Sequence, residues 1–89
     1  MIELIWDEPF LRILKKWLKK HPNLRERFQQ KIDLFSQDRF NPSLRTHALS
    51  GNLEGCWSLS VNYEYRLIFK FISENRVLLI DLGSHDEVY

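Results

Sequence analysis

The 89-residue sequence has little of what breaks or cross-links a chain: three glycines, three prolines and one cysteine. The lone Cys56 excludes an intrachain disulfide and the usual zinc spacings, so a reducing compartment is the natural setting. The longest apolar run, VLLI at 77–80, is far too short to cross a bilayer. The N-terminus also lacks the basic and apolar regions of a signal peptide, so a cytoplasmic protein without membrane contact is expected. No Walker loop, dinucleotide fingerprint, HExxH pattern or Gly-x-Ser-x-Gly elbow occurs, nor any repeat or low-complexity tract. No cofactor and no metal is expected.

What is present is the composition of one compact domain over residues 1–89, with 44% apolar and 28% charged residues. The net charge of +1 hides an asymmetry. Residues 1–40 hold nine Lys/Arg against six Asp/Glu, a net of +3, and residues 41–89 hold four against six, a net of −2. Much of the positive charge sits in RILKKWLKKH as Arg12, Lys15, Lys16, Lys19 and Lys20. Such a cluster either steers a domain toward a polyanion or solvates a helix, and spacing alone fits both.

Hydrophobic periodicity divides the chain. IELIW at 2–6 reads as a strand. Asp7-Glu8-Pro9 then supplies a capping residue, a first-turn acid and a proline whose missing N–H costs nothing there. Phe10, Ile13, Leu14, Trp17 and Leu18 follow as one apolar stripe at helical spacing, ending near His21-Pro22. A second helix is predicted from Asn23 as cap, with Leu24, Phe28, Lys31/Ile32 and Phe35 along its stripe, and residues 41–55 read as loop. From Cys56 the period becomes two. Trp57, Leu59 and Val61 oppose Cys56, Ser58 and Ser60, and Leu67, Phe69 and Phe71 oppose Arg66, Ile68 and Lys70. Residues 73–75 form a turn, and RVLLIDLG returns as a strand. The expected fold is α+β, in the order β-α-α-β-β-β, with a two-helix hairpin on one face of a small, mainly antiparallel sheet.

If Leu67 and Phe69 face the helices, Arg66 projects from the opposite face. The last strand runs antiparallel to it and brings His85 back to the level of Arg66. The candidates for chemistry are therefore His47, Glu64, Arg66, His85 and the terminal Tyr89, with the basic helix expected beside them. Each has a plainer reading: a solvated loop histidine, an Arg66–Glu64 ion pair, a surface histidine next to Asp86 and Glu87, an aromatic closing the core's edge. Together they suit cleavage of RNA by the 2′-OH. That reaction needs a base, a cation for the phosphorane and an acid for the departing 5′-oxygen.

HALSGNLEGCWSLSVNYEYRLIFKF followed by LLIDLGSHDEVY resembles the RelE/ParE superfamily of toxins, most closely the YoeB- and YafQ-like mRNA interferases. The features shared are His47 before Ala48-Leu49, Leu49-Ser50-Gly51, Gly55-Cys56-Trp57-Ser58, Arg66-Leu67-Ile68 and Gly83-Ser84-His85 with Tyr89 four residues on. Residues 44–89 carry the resemblance closely, and the N-terminal half carries it by pattern only. It implies a RelE-like fold and a toxin of a type II toxin–antitoxin pair that cuts mRNA in the ribosomal A site. A small antitoxin with an acidic segment would silence it, and DNA would be met only through the antitoxin complex. By resemblance His47 or Glu64 is the general base, Arg66 attends the scissile phosphate, His85 is the general acid and Tyr89 contacts a base or orders the site. The stretch Arg12 to Lys20 would dock on ribosomal RNA. Ser60 stands where YafQ-like proteins have a further histidine, and Asn52 and Glu54 replace lysines that RelE uses. A ParE-like gyrase poison and a non-catalytic nucleic-acid or partner-binding module are the rivals on the same fold, and the two histidines argue against the first.

Overall fold

In a computed structural model describing residues 2–89, the chain runs β1 (Glu3–Ile5), α1 (Glu8–Lys20), α2 (Arg25–Gln37), β2 (His47–Ala48), β3 (Trp57–Ser60), β4 (Tyr65–Ser73), β5 (Arg76–Ser84) and α3 (His85–Val88). The strands form one sheet in the order β1-β5-β4-β3-β2, with β1 parallel to β5 and every other pair antiparallel. The expected α+β architecture is present. Two elements were not legible in advance: the two-residue β2 inside the predicted loop and the closing turn α3.

Local chemistry explains the helix ends. Asp7 accepts from the Phe10 N–H at 3.1 Å, and Pro9 lies in the first turn, where no intrahelical partner for its nitrogen is missing. The Asn23 cap does not occur. Pro22–Leu24 instead form a turn of 3₁₀ helix, and α2 begins after Leu24 without a side-chain cap. Phe10, Trp17, Phe28, Ile32 and Phe35 are buried against Leu59, Leu67, Phe69, Val77, Leu79 and Leu82 of the sheet. Both helices therefore cover one sheet face.

The register of β5 against β4 contains an irregularity with a long reach. Ile68 pairs with Asp81, but Phe69 pairs with Leu79, so Ile80 is an extra residue in β5. A bulge of this kind reverses the alternation beyond it. Val77 and Leu79 face the helices before the bulge, and Leu82 does so after it, opposite Leu67. The Asp81 carboxylate accepts from the Leu82 N–H at 2.8 Å beside the irregularity.

The opposite sheet face is drier than alternation predicts. Ser58, Ser60 and Ile68 are all buried, Ile68 to 2% exposure, on the face where α3 packs back on β5 and β4 and Tyr89 reaches Ser58. The core itself depends on aromatic contacts such as Phe35 on Phe69, edge to face with centroids 4.8 Å apart. Phe35→Ala is expected to lower unfolding free energy by about 3–5 kcal/mol, whereas Ile72→Ala, at a half-exposed edge, should change it by about 0.5 kcal/mol or less. Urea denaturation followed by circular dichroism measures both.

Candidate functional site

On the face away from α1 and α2, two rows of side chains cross the sheet. His47 of β2 is opposite Ser58, which is opposite Ile68, which is opposite Asp81. In the next row Ser60 is opposite Arg66, and Arg66 is opposite Gly83. The bulge in β5 places Gly83 on this face, and His85 follows two residues later.

His47 is exposed, and its Nδ1 lies 2.8 Å from the Arg45 carbonyl oxygen. A carbonyl only accepts, so Nδ1 carries the proton, and in the neutral ring Nε2 keeps its lone pair. The carbonyl is aimed by an uncommon backbone. Arg45 has φ 52°, in the left-handed region, and caps the 3₁₀ turn Pro42–Leu44 through its N–H to the Pro42 carbonyl. Such a conformation costs a non-glycine residue on the order of 1–2 kcal/mol.

Arg66 is half-buried. Its Nη1 donates to the carbonyl oxygens of Asn62 at 2.8 Å and Tyr65 at 3.2 Å, which fixes one edge of the guanidinium and leaves the other donors free. The plainer reading, an ion pair with Glu64, is not met: no salt bridge joins the two among the described residues. Glu64 lies exposed in the β3–β4 turn, and its carboxylate acts on Tyr65, whose hydroxyl is pushed up first by burial and then by the charge and hydrogen bonding of Glu64. Tyr65 packs on Trp17 and His21 in the helix layer, which draws the Glu64 carboxylate away from Arg66, while the Glu64 carbonyl accepts from the His85 N–H at 3.2 Å.

The terminal turn completes the arrangement. Ser84 caps α3 reciprocally with Glu87: the Ser84 N–H donates to Glu87 Oε1 at 2.8 Å, and the Glu87 N–H donates to Ser84 Oγ at 3.3 Å. A Cβ on Gly83 would meet Glu87 Oε1 and Val88 Cγ1 at 3.2 Å, so the glycine serves close approach of this turn. Tyr89 donates from its hydroxyl to Ser58 Oγ at 2.7 Å, and its ring stands edge-on to His85 with centroids 4.3 Å apart. Of the two acids expected beside His85, only Asp86 is there, with Oδ1 3.6 Å from Nδ1. Glu87 is the capping residue.

The basic helix meets the closing turn only at its C-terminal end, where Lys16, Lys20 and His21 line a small cavity with Leu82 and Glu87. α1 itself belongs to the layer on the other side of the sheet, and its Arg12 pairs with Glu8 at 3.5 Å. Lys15 and Lys19, with Arg25, rim an apolar groove floored by Leu11, Leu14, Leu18 and Pro22. Of the cations that reach the sheet's open edge, Arg66 was expected, and Lys31 and Arg45 were missed. Lys31, Arg45 and Arg66 line a cavity of about 250 Å³ together with Ser43, Ser60, Asn62 and Tyr63. In sequence Lys31 is one lysine on an amphipathic helix, and nothing local marks it. Among the described residues no group of three or more His, Cys, Asp or Glu side chains converges as a metal site would require.

Residues 2–89 match the model of a family described as the bacterial toxin of type II toxin–antitoxin system, YafQ. No curated protein matches the sequence. Among solved structures the fold is similar to YafQ from Escherichia coli strain BL21(DE3), with TM-score 0.81, 14% identity and coverage of 100% of this chain and 99% of that one. A metal-bound toxin from Helicobacter pylori superposes with TM-score 0.78 at 22% identity over 100% of both chains. The E. coli DinJ–YafQ complex matches with TM-score 0.79 at 15% identity, over 100% of this chain and 99% of that one. Identities this low establish a common fold.

The hydrogen bonds of Ser84, backbone first and hydroxyl second, hold the Glu87 carboxyl below its ordinary value of 4.5. A depressed carboxyl stabilises the folded state above the unfolded value and loses that contribution as pH falls through the folded one. The closing turn is therefore expected to loosen below about pH 4.5, well before the core unfolds. NMR shifts of Tyr89 and His85 against pH should show the step, and Glu87→Gln should abolish it.

Proposed function

Because the chain belongs to the YafQ family of bacterial toxins of type II toxin–antitoxin systems, we propose that it is an endoribonuclease that cuts mRNA in the ribosomal A site. The observation that carries this reading is the 2.8 Å contact of His47 Nδ1 with the Arg45 carbonyl. With Nδ1 committed to the Arg45 carbonyl, Nε2 is presented at the surface as a base for a ribose 2′-OH, on the same sheet face as Arg66. Glu64 has no such position, so His47 takes the base role.

Arg66 neutralises charge as the phosphorane forms, with its orientation set in advance by the Asn62 and Tyr65 carbonyls. His85 protonates the departing 5′-oxygen. Tyr89 acts chiefly through position: its hydroxyl is tied to Ser58, the neighbour of His47, and its ring supports His85. Its half-exposed ring still offers a surface for a base to stack on. A module that merely binds nucleic acid has no need of a histidine held in one tautomer.

The antitoxin reading follows from the groove on α1. An acidic amphipathic segment would set apolar side chains on Leu11, Leu14 and Leu18 and carboxylates against Lys15, Lys19 and Arg25. The DinJ–YafQ complex supports an antitoxin protein as the partner. Arg12 to Lys20 would otherwise face ribosomal RNA, so occupation of the groove would exclude the ribosome.

His85→Gln keeps size and polarity but cannot supply the proton. It is expected to lower single-turnover cleavage on a programmed ribosome by about 10²–10⁴-fold, with the circular dichroism spectrum unchanged. Wild-type cleavage should persist in EDTA and leave a 2′,3′-cyclic phosphate and a 5′-hydroxyl. Retained activity in the variant, or 5′-phosphate ends, would overturn the mechanism. For the partner, Leu14→Asp is expected to weaken capture of the antitoxin encoded beside this protein by at least about tenfold, since it buries a charge in an apolar contact. Isothermal titration calorimetry reads that loss.

A further inference from the structure

The cavity at the free edge of β3 gathers three cations from three separate elements. Lys31 comes from α2, Arg45 from the turn before β2, and Arg66 from β4. β2 pairs only with Trp57 and Ser58, so the edge of β3 beyond Ser58 is left open there, and Ser43 and Ser60 fill in around it. No carboxylate lines the cavity. Two of the charges are held in place, Lys31 Nζ by the Ser43 carbonyl at 3.2 Å and Arg66 by two carbonyls, while Arg45 lines the cavity as an exposed side chain on a left-handed backbone. Three like charges lining one small cavity repel one another, and a fold that gathers them there is set up for an anion.

We infer that this cavity binds a backbone phosphate of single-stranded RNA next to the scissile one, with Lys31 and Arg45 as its own ligands and Arg66 shared between the two. The shared chemistry is a tetrahedral phosphate, whether free or in a phosphodiester. Donors converging from three elements suit a group with several oxygens around one centre better than a planar carboxylate, and Ser43 and Ser60 add neutral donors. Arg45 links the two functions directly, since its side chain lines the cavity while its carbonyl sets the His47 tautomer. The step from a phosphate to a flanking nucleotide rests on the RNA-cleaving reading above.

The test separates binding from chemistry by using an RNA oligonucleotide with 2′-O-methyl riboses, which lacks the attacking hydroxyl. Lys31→Met removes one cation, and Arg45→Asn removes the other with a residue that tolerates the left-handed conformation. Each is expected to weaken oligonucleotide binding about tenfold and to lower the slope of log affinity against log salt by about 0.7. Lys31→Arg should bind as wild type, which distinguishes lost charge from lost packing. Inorganic phosphate should raise the melting temperature of wild type and Lys31→Arg, but not of Lys31→Met or Arg45→Asn. The proposal is overturned if Lys31→Met and Arg45→Asn bind oligonucleotide with wild-type affinity and slope. It is equally overturned if a tetraglutamate peptide protects as well as an oligonucleotide of equal charge, because the cavity would then be a carboxylate site for a protein partner. Binding as expected with unmodified mRNA left uncut would uphold the phosphate cavity and remove the cleavage reading. Cleavage with binding unaltered by either substitution would do the reverse.

Discussion

One extra residue in β5 determines which side of the sheet the candidate site occupies. Up to Leu79 the odd-numbered positions of the strand face the helices, and without an irregularity Gly83 would face them too. The bulge at Ile80 turns Leu82 inward, where it joins the core opposite Leu67, and Gly83 outward, where it meets Arg66. The direction of the chain into α3 is set at that point, and with it the positions of His85 and Tyr89. A core position and a site position are thus exchanged by a single backbone device.

The closing turn then belongs to stability and to chemistry at once. It packs back on β5 and β4 on the face where Ile68 is buried, and its terminal hydroxyl reaches the buried Ser58. Gly83 permits the approach, and the Ser84–Glu87 capping pair fixes a helix of four residues that would not persist alone in water. The site is consequently held by a short exposed element with few contacts of its own. Such elements open at lower free energy than the core.

Charge is arranged on two sides of the molecule. The α1 lysines lie over a leucine-floored groove in the helix layer, and Lys31, Arg45 and Arg66 lie at the sheet edge. The first set fits a large partner met over a surface, and the second fits one small anion. Arg45 shows how closely backbone and side chain are used, because the same residue supplies a cation to the cavity and a carbonyl to His47.

The sequence by itself determined the α+β class, the two amphipathic helices, the antiparallel strands from 57 onward and the pairing of Arg66 with the end of the last strand. Those depend on periodicity and capping, which are local and are written into residues such as Asp7, Phe28 and Leu67. It also marked His47, Arg66, His85 and Tyr89. Tertiary structure alone decided the rest. Glu64 turns to Tyr65 because its strand neighbour points into the helix layer, and the basic helix belongs to that layer because Phe10 and Trp17 of α1 are buried in the core it shares with the sheet. Lys31 reaches the site from a helix whose pattern gives no sign of it, since its role depends on which loop Leu44 anchors beneath it. The bulge at Ile80 is invisible in an apolar run, because leucine and isoleucine are equally at home on either face, and only packing against β4 selects the register.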